Sequence, residues 1–399
     1  MEKFIQIFLE RLKSVDSSFK RYLWNEIDWN NRLIAIIGAR GVGKTTMLLQ
    51  YIKTQYTHRL TEVIYANLDN LYFTRTSLND FADEFVKRGG KYLFLDEVHK
   101  YPDWSVAIKN IYDDHPGLSI VFIGSSALDI FKGKADLSRR ILVYKMNGLS
   151  FREFVELKYK HSFPVLSLQD IITQQASVFC NDINAVIKPV KLFEEYVKFG
   201  YYPFFREDEK NYTLRLMQTV DQILENDLPA VARIDYSAIY KLRQLFSIIA
   251  EIAPFKPNIL ELSRQIGIDR DTLMKYLYLL SKADLLMLLQ NNTGGINRLN
   301  KPEKVYLNNP NLMFALTSNP INIGTLRETF FYNQLKVKHA VNYVDKGDFL
   351  IDNHLLFEVG GKNKTQKQIA GIENVYIAAD NIEFAYKNTI PIWLFGFLY

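Results

Sequence analysis

The first third of the chain alternates two hydrophobic rhythms. Residues 2–13 carry Phe4, Ile5, Phe8, Leu9 and Leu12 at helical spacing, which predicts an amphipathic helix packed on the core that follows. Leu33-Ile34-Ala35-Ile36-Ile37 is apolar without a break. So are the centres of 62–68, 91–95 and 119–123. Uninterrupted short apolar runs are what strands buried on both faces require, and such strands belong to parallel sheets. Helical stretches at Met47–Ile52 and Leu78–Lys87 separate them. The pattern predicts an α/β fold with a doubly wound parallel sheet.

From 150 to 250 the period becomes helical. Leu192, Phe193, Tyr196 and Val197 form one apolar stripe and Met217, Val220, Ile223 and Leu224 another. Asp227-Leu228-Pro229 is expected to end a helix. Residues 257–277 read as a helix, a turn at Gly267 and a second helix with Leu273, Leu277 and Leu280 facing inward. Thr293-Gly294-Gly295-Ile296 would turn a wing after it. From 306 to 399 helix and strand alternate again, with a helix at 326–335 and strands at 348–351 and 355–359.

The first apolar run breaks into Gly38-Ala39-Arg40-Gly41-Val42-Gly43-Lys44-Thr45-Thr46, the pattern G-x-x-x-x-G-K-T of a phosphate-binding loop. Backbone N–H groups must point inward at phosphate oxygens, and the glycines allow that path. The next helix offers its N-terminus to the same anion. Gly38, Arg40, Gly41, Val42, Gly43, Lys44, Thr45 and Thr46 are the candidate ATP-binding residues. Lys44 would reach the β- and γ-phosphates, and Thr45 would place its hydroxyl on Mg²⁺. Trp24, Ile27 and Trp29 stand before the first strand, where packing explains them better than contact with a base.

The run 92–95 closes on Asp96-Glu97. At the C-terminal edge of a buried parallel strand this pair faces the ligand crevice. Asp96 can bind Mg²⁺, and Glu97 can accept the proton of an attacking water. A water-activating Glu suits hydrolysis rather than transfer to a small molecule. His99 has no partner at metal-ligand spacing and reads as a loop histidine. The strand 119–123 closes on Gly124-Ser125-Ser126. It is expected between the two nucleotide motifs, where Ser125 or Ser126 could bond the water or the γ-phosphate while the other caps a helix.

These motifs, with Trp104 after the acidic pair and Leu149-Ser150-Phe151-Arg152-Glu153-Phe154, resemble the prokaryotic AAA-type ATPases with a C-terminal DUF4143 domain, the AAA_14 plus DUF4143 architecture. In that family a Gly-Arg pair precedes the Leu-Ser-Phe motif. Ser138-Arg139-Arg140 stands there in this chain, which makes Arg139 or Arg140 the candidate for charge stabilisation at the γ-phosphate, in cis or across a subunit contact. Gly200-Tyr201-Tyr202-Pro203 resembles the family's Gly-Gly-Tyr-Pro turn. Pattern and resemblance together divide the chain into an N-terminal helix (1–20), a P-loop ATPase core (21–155), a helical lid (156–250), a winged helix-turn-helix (251–305) and a nuclease-like domain (306–399). Arg206 and Arg233 are basic residues of the lid that could reach the phosphates.

The last segment also resembles restriction-endonuclease-like cores, in which a helix Glu, a strand Asp and a Glu-x-Lys gather one metal ion. Glu328, Asp348 and Glu358 match the acids. The lysine position holds Gly360, and Lys362 has the right parity only beyond Gly360-Gly361. An active nuclease is therefore not expected, and a degenerate domain is.

Composition narrows the setting. Of 399 residues 48% are apolar, which supports several packed cores. A net charge of +5 permits contact with DNA without requiring it. Cys180 is the only cysteine, which excludes an intrachain disulfide and fits a reducing compartment. No apolar run reaches the roughly 20 residues of a spanning helix. The expectation is a cytoplasmic, Mg²⁺-dependent ATPase, not embedded in a membrane and open to oligomerisation, that moves its C-terminal module. The alternatives are a nucleotide-gated DNA-binding protein or nuclease, and a protein that holds ATP to bind a protein partner without hydrolysing it.

Overall fold

Strand Leu33–Ile37 (β1) is buried at every position, as its unbroken apolar run requires. The computed structural model describes residues 2–124, 137, 139–229, 236–291, 301–362 and 374–399. The chain divides into two compact units, Met1–Gly148 and Leu149–Tyr399.

In the first unit β1 is joined by β2 (Val63–Asn67), β3 (Tyr92–Asp96), β4 (Ser119–Gly124) and β5 (Leu142–Lys145). They pair parallel in the order β2-β3-β4-β1-β5. Helices α1 (Glu2–Ser14), α2 (Lys44–Gln55), α3 (Leu78–Lys87) and α4 (Trp104–Asp114) cover the sheet. Leu33, Ala35 and Ile37 share one core with Leu93, Leu95, Ile120 and Phe122, closed by Phe4 of α1, Phe81 of α3 and Ile108 of α4. The alternate residues face α2, where Tyr51 meets Phe94 at 6.3 Å between ring centres. Each fully buried Leu, Ile or Phe stabilises by roughly 1.5–3 kcal/mol, so the central strands tolerate interruption least. Trp29 stacks on Tyr51 at 3.6 Å and Trp24 meets the same ring edge-on. These aromatics are packing.

The second unit opens at α5 (Phe151–Tyr159), continues through α6 (Leu168–Ile172), α7 (Gln175–Val186), α8 (Pro189–Phe199) and α9 (Tyr212–Gln222), and runs on in a π-helical turn to Asp227. The Leu-Ser-Phe-Arg-Glu-Phe motif acquires a physical meaning here. Ser150 caps α5 and Glu153 returns the bond, a full capping box with both side chains buried. Phe151 and Phe154 then pack on Tyr196 of α8, each 5.6 Å away. That packing joins the motif to α8 within the second compact unit, which opens at Leu149. The stripe on α8 is buried as expected. On α9 it is shifted: Leu216 is buried and Met217 is 42% exposed. The helical path runs through the π-turn to Leu228 and Pro229, the last residues described before 236.

Helix α10 (Tyr236–Ile252) precedes α11 (Ile259–Ile266) and α12 (Arg270–Lys282). Gly267 turns between the last two at φ +69°, and Leu273, Leu277 and Leu280 are buried. A two-stranded antiparallel ribbon follows, β6 (Leu286–Leu289) with β7 (Lys304–Leu307). The wing expected at 293–296 lies outside the described residues. After α13 (Pro310–Leu316) and α14 (Ile323–Leu335) come β8 (Val341–Asn342), β9 (Phe349–Ile351), β10 (Leu355–Gly361), β11 (Val375–Asp380) and β12 (Thr389–Pro391). Strands β8 to β10 pair antiparallel, and β10 to β12 parallel. No helix among the described residues is long and apolar enough to cross a membrane.

Candidate nucleotide site

The loop between β1 and α2 follows the path its glycines allow. Gly43 sits at φ +95° immediately before α2, and Gly41 at +85°. A side chain at Gly38 would place its Cβ 2.2 Å from the Met146 carbonyl oxygen, so the main chain passes too close for any other residue. Lys44 is buried, and its Nζ donates to the carbonyls of Gly38 and Ala39, both at 2.8 Å. The ammonium is thereby folded over the loop that it is expected to share with phosphates.

Strand β4 lies between β1 and β3, as expected, and the ends of all three point the same way. This brings Asp96 to the loop: Thr45 Oγ1 donates to Asp96 Oδ2 at 2.9 Å. Tyr65 on β2 donates to the same oxygen at 2.6 Å and accepts from Arg11 at 3.0 Å. The Glu97 N–H donates to Oδ1 at 2.7 Å. Burial pushes the Asp96 carboxyl above the usual carboxylate range, as does the neighbouring Glu97 charge, while the bonds from Tyr65, Thr45 and the Glu97 N–H pull it down. A buried carboxylate beside a hydroxyl is a hard-oxygen pair suited to Mg²⁺. Thr45 and Asp96 would hold that ion.

Glu97 takes the left-handed conformation at φ +51°, unusual for a non-glycine residue and the kind of strain found at working sites. His99 is not a solvent-facing loop residue. Its side chain is 1% exposed, and Nε2 lies 3.4 Å from Glu97 Oε2. Spacing gave no sign of this, because the turn Val98–Lys100 folds His99 back on the acid. Tyr65 and Arg11 also went unnoticed in the sequence. Tyr65 reads there as one apolar position of a strand.

Ser125 and Ser126 lie outside the described residues, and so does Arg233. Arg139 and Arg140 are described and stand before β5, which runs parallel to β1 with Leu142 opposite Ile34. That is the end of the sheet opposite the phosphate loop. Six residues of strand separate the level of Arg140 from Gly38, roughly 20 Å at 3.3 Å per residue. Arg140 pairs with Asp113 at 3.2 Å. Neither arginine reaches the loop of its own chain, which removes the cis alternative.

In the second unit Glu328 on α14 is bonded by Lys304 at 2.5 Å and by Tyr306 at 2.8 Å. Asp348 accepts from the Val359 N–H at 2.7 Å, and Glu358 is buried on β10. The strand ends at Gly361, as expected, and Lys362 is exposed beyond it. Among the described residues no three His, Cys, Asp or Glu side chains are grouped to hold a metal ion. The three acids are thus not gathered into one metal site.

Two family models match the chain. Residues 30–155 match an AAA domain (AAA_14), and residues 190–323 match a domain of unknown function, DUF8612. The second stands where the sequence resemblance implied DUF4143. No curated protein matches. Among solved structures, the Walker-type ATPase of Pyrococcus abyssi aligns with 75% of this chain and 95% of its own at 12% identity, TM-score 0.41. AMPPCP-bound DnaA from Aquifex aeolicus aligns with 70% of this chain and 88% of its own at 14% identity, TM-score 0.28. Cdc6p from Pyrobaculum aerophilum aligns with 77% and 92% at 13% identity, TM-score 0.26. The parallel sheet, the loop with Lys44 and Thr45, and the family match agree: residues 30–155 carry an AAA-type ATPase domain on the P-loop NTPase fold.

Proposed function

We propose that the chain is a Mg²⁺-dependent ATPase whose nucleotide state moves its second unit. The observation that carries this is the apposition of Thr45 and Asp96 at 2.9 Å with the strained Glu97 one residue on. In this reading Lys44 leaves the carbonyls of Gly38 and Ala39 for the β- and γ-phosphates. The loop N–H groups and the α2 N-terminus hold the same oxygens. Bound Mg²⁺ would neutralise charge on the phosphate oxygens. Glu97 orients the attacking water and takes its proton, and His99 holds the Glu97 carboxylate in place. Arg139 or Arg140 would act on the γ-phosphate of a second copy of the chain. Release of γ-phosphate contacts is the ordinary trigger of such switches.

The test is phosphate release from ATP with Mg²⁺, with and without double-stranded DNA, beside Glu97→Gln. Turnover that depends on Glu97 supports the reading, and equal turnover in Glu97→Gln overturns it. Stimulation by DNA would assign the second unit to nucleic acid, and indifference to DNA would assign it to a protein partner.

A DNA-responsive form of this reading has its own support. Helices α11 and α12, turned by Gly267 and followed by the β6–β7 ribbon, have the order of a winged helix-turn-helix. Arg270, Lys275 and Tyr278 are exposed on α12. Asp269 caps that helix through the Thr272 N–H and stays an exposed carboxylate, as Asp271 beside it is exposed, and the two acids count against phosphate contact at this end. The sheet after α14, antiparallel from β8 to β10 and parallel from β10 to β12, supports reading that segment as a nuclease-like core. With Lys304 bonded to Glu328, we read that domain as degenerate, serving binding rather than cleavage.

A further inference from the structure

Arg21 is a buried arginine, 4% exposed, just before the short 3-10 turn Tyr22–Asn25. The sequence gives it no role, and no motif contains it. Its guanidinium donates through one nitrogen to the carbonyl of Val42, inside the phosphate loop. Through another it donates to the carbonyls of Asn147 at 2.7 Å and Gly148 at 2.9 Å. Tyr22 secures the same segment: its hydroxyl donates to the Lys145 carbonyl at 3.1 Å and accepts from the Asn147 N–H at 3.3 Å. The segment in turn lies against the loop, with the Met146 N–H donating to the Ile37 carbonyl at 2.7 Å.

We propose that Arg21 is a positioning residue of the nucleotide site, which aims the loop by holding the Val42–Gly43 peptide from behind. The inference rests on the ATP-site reading above. In a trans peptide the C=O and the following N–H point in opposite directions. Fixing the Val42 carbonyl toward Arg21 therefore turns the Gly43 N–H to the other side. Gly43 has no Cβ and a positive φ, and Gly41 likewise, so the loop residues themselves restrict this peptide little. Val42 anchors its own side chain, fully buried, but a side chain does not set the plane of the peptide after it. The planar guanidinium does, because its fork spans the loop on one side and residues 147–148 on the other. A loop aimed in advance binds phosphate without first losing the entropy of being ordered.

The experiment is titration of a fluorescent ATP analogue with Mg²⁺ into the full chain, its Arg21→Met and Arg21→Lys variants, and Lys44→Ala, with nucleotide-free melting curves of each. Arg21→Met is expected to bind about tenfold more weakly, a loss of the size that one ordering contact accounts for. Arg21→Lys keeps the charge but not the fork, and is expected to bind several-fold more weakly. In steady-state hydrolysis KM should rise while kcat falls by less, since the effect is on phosphate binding before the chemical step. A cooperatively melting Arg21→Met variant with native affinity overturns the proposal. Native affinity in Arg21→Lys overturns it as well, since charge alone would then suffice, and this variant decides the matter if Arg21→Met does not fold. Failure of the ATP-site reading looks different: the native chain would bind no analogue, or Lys44→Ala would bind as well as it does.

Discussion

Thr45 Oγ1 stands 2.9 Å from Asp96 Oδ2, although the two residues are 51 positions apart. One opens α2 and the other ends β3, and the parallel sheet alone brings them to the same edge. With Lys44, whose ammonium lies on two loop carbonyls, they define where phosphate and metal would meet. Lys44→Ala should abolish ATP binding in a calorimetric titration. Ammonium and carbonyls lose each other in the variant, so a stability loss of about 1–3 kcal/mol is also expected. Unchanged affinity in a folded variant would sink the site.

Glu97→Gln keeps the shape of the side chain and removes its basicity. It should bind ATP as the native chain does and slow turnover by about 100-fold or more, the usual contribution of a general base. Single-turnover hydrolysis beside a binding titration separates the two effects.

Asp96 is a buried carboxylate held above the usual carboxylate range, chiefly by burial. Between its ordinary value and the raised one, the native chain holds more protons than the unfolded chain. Stability therefore falls as pH rises through that window and stays at the lower level above it. Asp96→Asn removes the buried charge, and the Thr45 and Tyr65 hydroxyls can turn to accept from its amide. The variant should melt higher than the native chain at pH 7 without nucleotide, by about 2 °C or more, and show a flatter pH dependence above about pH 4. It should also lose Mg²⁺-dependent turnover. Melting curves from pH 4 to 8 test the first part, and a steeper pH dependence would contradict it.

Arg140 pairs with Asp113 in the open, the two side chains being 36% and 42% exposed. Such pairs stabilise little, about 0–1 kcal/mol. Arg140→Ala should fold and bind ATP normally. If the arginine serves a second copy of the chain, native turnover per chain should climb with protein concentration and that of the variant should not. Parallel, flat concentration curves for both would remove Arg140 from the site.

Lys304 neutralises Glu328 at 2.5 Å in a half-buried setting shared with Tyr306. Lys304→Met leaves the carboxylate without its cation and should lower stability by about 1–3 kcal/mol. Adding Glu328→Gln should recover part of the loss, which a double-mutant cycle in urea would measure. Additive losses would mean the pair is not coupled.

The phosphate loop was legible because its chemistry is local. Three glycines, a lysine and a threonine within nine residues carry the conformation and the charge together, so a string of letters is enough. The central strands were legible for a similar reason, since burial on both faces leaves an unbroken apolar run. The Asp96-Glu97 pair could be read because the end of such a run has one meaning in a parallel sheet. What the string could not carry was which distant side chains meet. Tyr65 on Asp96, His99 beside Glu97, Arg21 behind Val42 and Lys304 on Glu328 are contacts set by strand order and helix packing. Arg139 and Arg140 show the converse: a family pattern marked them, and the direction of β5 placed them at the far end of their own sheet. The Leu-Ser-Phe-Arg-Glu-Phe run falls within the AAA-domain match, which extends to residue 155. Its capping box is local, whereas the packing of its two buried phenylalanines with Tyr196 depends on the path of α8. Local backbone chemistry is written in neighbouring residues, whereas a side chain's partner depends on the path of the whole chain.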